Sequence, residues 1–131
     1  MIGLDTNILV RYFSQDDPVQ SARATEIVEH RLSEANLGFI SVVVMVETVW
    51  VLDRAYEFGE PDIAAAVERL LQSDVLCIEH EQEVFIAMVN LRNGSGSFSD
   101  GLIAALAAKA GCASILTFDR KAPRIPGFQL A

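Results

Sequence analysis

Basic residues are in deficit here: ten Lys and Arg against eighteen Asp and Glu give a net charge of −8 over 131 residues. Surfaces that grip nucleic acid broadly are basic, so this balance excludes a general polyanion-binding protein. Histidine is scarce as well. His30 and His80 fall in no ligand spacing, and no zinc site is expected. The chain has two cysteines, Cys77 and Cys112. Both lie among apolar neighbours and read as buried thiols of a reducing cytoplasm, not as a disulfide. No apolar run reaches the roughly 18 residues of a membrane span. The opening Met1-Ile-Gly-Leu-Asp5 lacks the charged start of a signal peptide. A cytoplasmic protein with no membrane association is expected.

Hydrophobic residues, by contrast, make up 51% of the chain, unbroken by repeats or polar tracts. At this length one domain with one core is expected, spanning residues 1–131. Within that apolar background four acids are out of place. Asp5 lies in Ile2-Gly-Leu-Asp-Thr-Asn-Ile-Leu-Val10, and Glu47 interrupts the run from Val42 to Leu52. Asp100 opens the stretch through Ala108, and Asp119 closes Ala113-Ser-Ile-Leu-Thr-Phe-Asp. A buried carboxylate costs several kcal/mol unless it is paired, metal-bound or protonated. Four such acids with few bases nearby point to a multivalent cation. Arg120, Lys121 and Arg124 follow Asp119, and an acidic pocket beside a small basic patch suits a metal-bridged phosphate ligand.

Local signals give an alternating order of elements. Ile2–Leu4 reads as a buried strand, and Asp5 or Thr6 caps a helix to about Phe13. Asp16-Asp17-Pro18 starts a helix to about Asn36 that buries Ala22, Ile27, Val28 and Leu32. Gly38 to Ser41 is a second strand. The following Val42–Val46 favours strand by propensity but is long enough, with its continuation, for a helix capped by Ser41. Gly59 ends that helix and Pro61-Asp62 begins another. Val75–Ile78 is a strand, and Glu81 to about Leu91 a helix. After the polar Asn93–Ser97 loop, Ser99 or Asp100 caps an Ala-rich helix to Lys109. Ala113–Phe118 is a strand and Phe128–Leu130 a short last one. Such alternation predicts an α/β fold with a mostly parallel central sheet of four to five strands between helical layers. Ligands bind beyond the carboxyl ends of such strands, where Asp5 and Asp119 fall. Trp50, Phe85 and Met88 read as core.

The motifs together resemble a PIN domain, and within that family a VapC-type ribonuclease toxin. Met1-Ile-Gly-Leu-Asp-Thr-Asn-Ile-Leu-Val-Arg11 with Asp16-Asp17-Pro18 is similar to the family's first motif, and Val46-Glu47-Thr48 with Trp50 and Leu52 to its second. Phe98-Ser-Asp-Gly-Leu-Ile-Ala-Ala105 is similar to the third, and Leu116-Thr-Phe-Asp-Arg120 to the fourth. One departure is Gly101, where the family more often carries Ala or another small side chain; glycine slightly weakens that first helical turn.

The resemblance implies a three-layer α/β/α sandwich and a divalent-metal site built by Asp5, Glu47, Asp100 and Asp119. Asp5 and Asp100 are the first choices for direct contact. Glu47 and Asp119 hold the metal, its waters or a second ion. The implied cofactor is Mg²⁺, for which Mn²⁺ can substitute. The implied activity is endonucleolytic hydrolysis of RNA by a metal-activated water, leaving 5′-phosphate and 3′-hydroxyl ends. The implied partners are a cognate antitoxin protein and a second copy of the chain in a homodimer. An RNA-processing nuclease outside a toxin–antitoxin pair and a catalytically silent module of the same fold are the alternatives.

Each residue also has an ordinary role open to it. Asp5 and Asp100 can be helix caps, Asp119 a turn residue, and Glu47 the partner of Arg54 or Arg69. Thr6, Asn7 and Thr117 either support the carboxylates or satisfy local backbone. Arg11, Arg120, Lys121 and Arg124 either bind RNA phosphates or form solvated pairs.

Overall fold

The computed structural model describes residues 1–131. Its chain divides into two compact units, Met1–Glu81 and Gln82–Ala131. Five short strands all pair in parallel, and helices connect most of them, so the α/β reading holds. Hydrogen bonding distributes the strands over two sheets. β1 (Ile2–Gly3), β2 (Gly38–Ile40) and β3 (Leu76–Ile78) form one, in that order, and β4 (Ile115–Thr117) pairs with β5 (Phe128–Leu130) in the other.

In the first unit α1 (Thr6–Ser14) leaves β1 directly, with Asp5 at its N-cap. Asp17 caps α2 (Pro18–Glu26) by accepting from the Val19 and Gln20 amides. The long helix expected to Asn36 ends sooner. A π-helical turn over Ile27–Arg31 closes with the Leu32 amide donating to the Ile27 carbonyl at 3.1 Å, and Leu32 becomes extended. Val28 and Leu32, four residues apart, both enter the core. Ala22, expected inside, is exposed, and Ser21 and Ala24 take the buried face instead. Gly38 shows why β2 runs so close to its surroundings. A Cβ there would lie 2.7 Å from Leu32 Cδ1 and about 3 Å from the side chains of Leu4 and Leu76.

Val42–Val46 is helical. α3 spans Val42–Tyr56, capped by Ser41 Oγ accepting from the Val44 amide, while Glu79 beyond β3 accepts from the Val42 amide at 2.9 Å. Met45, Val49 and Leu52 repeat at helical spacing and are buried, so tertiary burial overrides the β-propensity of the valines. Trp50 falls on the opposite face and is 57% exposed, with Arg54 stacked on its ring. It is not core. α4 (Glu60–Leu71) completes the unit and buries Ile63, Val67 and Leu70.

The second unit holds most of α5 (Glu81–Arg92), then α6 (Phe98–Lys109), β4, a 3-10 turn over Ala122–Arg124, and β5. Met88 is fully buried, as expected, but Phe85 is half-exposed because Val84, Ala87, Met88 and Leu91 occupy the inward stripe of α5. Cysteine burial also needs correction. Both thiols are free, but Cys112 is exposed past the end of α6 and Cys77 is half-buried in β3.

Gly101 is a packing residue. A Cβ at this position would stand 3.2 Å from Ala87 Cα and 3.4 Å from Ala87 Cβ, so glycine sets how closely α5 and α6 approach. Because the obstacle includes backbone, it cannot swing aside. Gly101→Val is expected to destabilise by about 1–3 kcal/mol through overpacking. That lowers the thermal midpoint by roughly 3–10 °C, which a circular-dichroism melt measures.

Candidate active site

Two of the four motif acids meet on one wall of the first unit. An open cleft of about 350 Å³ is lined by Asp5, Thr6, Asn7, Val10, Arg11, Glu47, Val51, Ala55 and Tyr56. β1 ends at Gly3, and the chain turns into α1 through Asp5, whose backbone is extended (φ −89°, ψ 163°) and whose carboxylate accepts from the Thr6 amide at 2.8 Å. Asp5 is therefore a helix cap as well as a cleft residue. Only one of its carboxylate oxygens is used in capping, which leaves the other for a ligand. Glu47 reaches the cleft from α3, where Glu47, Val51 and Ala55 follow one another at four-residue spacing. Its Oε1 accepts a short hydrogen bond from the Thr6 hydroxyl. Thr6 itself is buried, so the hydroxyl comes from a fixed point and aims the carboxylate. Neither Arg54 nor Arg69 pairs with Glu47. Arg54 lies beside Asp53 and Trp50, and Arg69 beside Glu29 and Tyr12.

The idea that these acids are buried is corrected. Asp5, Glu47 and Asp119 are exposed, and Asp100 is half-buried. Beside Asp5 and Glu47 the apolar neighbours Leu4, Met45 and Val49 point into the core, whereas Leu116 and Phe118 before Asp119 are themselves exposed. The acids sit where a strand ends or on the opposite helix face. Desolvation therefore does not force a cation on them, and the case for one rests on the donors themselves.

In the second unit, Asp100 lies in the first turn of α6, but it is not the cap. Ser97 is, accepting from the Asp100 amide at 3.1 Å, so the helix starts two to three residues earlier than expected. Asp119 follows β4 in a tight turn. Its Oδ1 accepts from the Lys121 amide at 2.9 Å, and Thr117 Oγ1 accepts from the Asp119 amide at 3.0 Å. Both residues thus have local backbone roles. Arg120, Lys121 and Arg124 are exposed. No group of three or more His, Cys, Asp and Glu side chains is gathered as a ready cation cage, and His30 and His80 are exposed.

A polar cluster missed in the sequence borders the carboxylate cleft. Arg11 Nη1 donates to both oxygens of Asp16 at 2.9 Å and to the Tyr56 hydroxyl at 3.0 Å, while Arg11 Nε donates to Gln20 Oε1 at 2.9 Å. Tyr56 and Ser14 in turn donate to Asp16 at 2.8 and 2.7 Å. The five-residue spacing from Arg11 to Asp16 was a signal for the pair; nothing in the sequence marked Tyr56. The Ser14 and Tyr56 hydroxyls, followed by the Arg11 guanidinium, hold the Asp16 carboxyl well below the usual carboxylate range, and Asp16 raises Arg11 reciprocally. A carboxylate depressed in the folded state stabilises the fold above its unfolded pKa of about 3.9, and that contribution fades as pH falls toward the folded value. The melting difference between the wild type and Asp16→Asn is thus expected to be largest near pH 7 and to shrink below about pH 4. Paired thermal melts across pH measure it.

A two-acid cleft at the end of a parallel strand lies where α/β sheets place their ligands. The PIN domain family model matches residues 2–127, and the chain belongs to that family. It is similar to the VapC ribonuclease of Aquifex aeolicus (strain VF5), at 24% identity over 127 residues that cover 96% of this chain and 92% of that protein.

Proposed function

We propose that this protein is a Mg²⁺-dependent endoribonuclease, active with Mn²⁺ as well, that serves as the toxin of a toxin–antitoxin pair. The observation that carries the reading is the meeting of Asp5 and Glu47, from two separate PIN motifs, on one open cleft with Glu47 aimed by Thr6. The donors fit a hard cation. Carboxylates, a hydroxyl and the Asn7 amide oxygen are all oxygen ligands, which select Mg²⁺ or Mn²⁺ over zinc. Bound there, such a cation supplies the charge that acidifies a water and neutralises phosphoryl oxygens.

The chain's own residues do the rest. Asp5 and Glu47 hold the ion, and Thr6 keeps Glu47 from rotating away. Asn7 offers an amide beside them for a water or a phosphate oxygen. Asp100 and Asp119, with Thr117 bracing the latter, belong to the reading through the motifs that carry them, and Arg120, Lys121 and Arg124 are its basic substrate contacts. RNA as substrate is supported by the likeness to a VapC ribonuclease; an antitoxin as partner and a homodimeric state are proposed along with the toxin reading. Residues 1–131 are read as one PIN domain, because the family model runs through both units.

The experiment is direct. Protein purified free of any antitoxin is expected to cleave single-stranded RNA with Mg²⁺ or Mn²⁺, stop with EDTA, and resume when metal is restored. Cleavage indifferent to chelator overturns the metal assignment; no cleavage of any RNA under either ion overturns the nuclease.

A further inference from the structure

A second groove lies next to the carboxylate cleft and has a different character. It is about 410 Å³, runs between α1 and α2, and shares two wall residues with the first cleft, Asn7 and Arg11. Its charged lining residues are Arg11 and Arg23, with no acid among them, in a chain of net charge −8. The remaining walls combine an amide, Gln20, with aliphatic carbon from Ile8, Ile27 and Val19. Val19 is 73% exposed, far more than a β-branched apolar residue needs to be at a position where any polar residue would serve the helix.

Arg11 stands at the boundary between the two clefts. Its Nε is committed to Gln20 and its Nη1 to Asp16 and Tyr56. Those bonds fix the guanidinium plane and leave the two Nη2 hydrogens of its five donors for a further acceptor. Gln20 accepts from Arg11 through Oε1, so its own amide hydrogens are also available. Cations, free amide donors and aliphatic surface in one groove match the parts of a nucleotide: phosphate, base edge and base face.

We propose that the α1–α2 groove is a subsite for the nucleotide next to the one at the Asp5/Glu47 cleft. Arg11 binds the phosphate between them, Arg23 binds the following phosphate, and Val19 lies under the base. Continuity through Asn7 and Arg11, and a lining that holds Arg23 and no acid, select a single-stranded RNA over a protein segment as occupant. The proposal rests on the RNA-cleaving reading above.

The test uses the full chain with Arg23→Ala and Val19→Asp, two exposed positions whose substitution leaves the core untouched. Binding of a short fluorescent single-stranded RNA is measured by anisotropy in EDTA, so no cleavage intervenes. Each variant is expected to weaken binding by about three- to tenfold. Arg23→Ala is also expected to flatten the slope of log K against log salt by about 0.7, the share of one phosphate contact on a single strand. In Mg²⁺ the same variants raise KM for a hexanucleotide. Wild-type affinity, salt slope and KM in both variants, with the wild type cleaving normally, overturn the subsite while the nuclease stands. Loss of a protein partner's binding with RNA affinity unchanged also overturns it and gives the groove to a peptide. Failure of the wild type to cleave at all is a failure of the parent reading, not of the groove alone.

Discussion

Asp5→Asn is expected to reduce metal-dependent RNA cleavage by more than about a hundredfold, since even residues that only orient a metal's ligands cost 10–100-fold when changed. The substitution separates the cap role Asp5 has in the structure from the cation-binding role proposed for it. As N-cap of α1, Asp5 needs one oxygen to accept from the Thr6 amide, and asparagine caps a helix about as well as aspartate. As a cation ligand, Asp5 needs its negative charge, which asparagine lacks. The thermal midpoint is therefore expected to stay within about 2 °C of wild type while activity disappears. Asp5→Ala removes both functions, and the lost cap adds a destabilisation of about 1 kcal/mol, or roughly 3–5 °C. Wild-type cleavage by Asp5→Asn would leave Asp5 a structural cap and nothing more. Melting curves and a cleavage time course on the same preparations distinguish the outcomes.

Glu47 and Thr6 give the second large effect. Glu47→Gln keeps an oxygen to accept from the Thr6 hydroxyl, so the side chain stays in place without its charge. A loss comparable to that at Asp5 is expected. Thr6→Val is the more informative change, because it leaves the charge of Glu47 intact and removes only the hydrogen bond that aims it. Valine matches the shape of a side chain that is 7% exposed, so the fold should tolerate it. The Mg²⁺ concentration giving half-maximal activity is expected to rise about 10–100-fold, with cleavage recovering at saturating metal. An unchanged metal titration in Thr6→Val would show that Glu47 is oriented by something else.

Element order was readable because its signals are local. Asp17-Pro18 starts α2, Ser41 caps α3, and the short aliphatic runs of β1, β2 and β3 separate the helices. Capping depends on a few consecutive residues, so such readings survive folding. The errors arose where distant packing decides. The π turn at Ile27–Arg31 ends the helix where Leu32 becomes extended and packs beside Gly38, far along the chain from Leu4 and Leu76, which flank the same glycine. Trp50 and Phe85 looked like core because they are large and apolar, yet the faces of α3 and α5 that meet the core are filled by Met45, Val49, Leu52, Val84 and Met88. Hydrophobicity says that a residue can be buried; the phase of its helix says whether it is.

The sequence by itself determined the alternation of strands and helices, the membership of the four acids in ordered motifs, and the placement of Asp5 and Asp119 just past strand ends. These depend on residue type and on neighbours a few positions away. Tertiary structure alone decided that the acids are open to solvent, that Thr6 aims Glu47 across forty-one residues of chain, and that Arg11 is locked by Asp16 and Tyr56. The Thr6–Glu47 and Arg11–Tyr56 bonds join segments remote in sequence, fixed by how α1 and α3 pack, and no local propensity encodes the direction in which a side chain emerges from a packed helix.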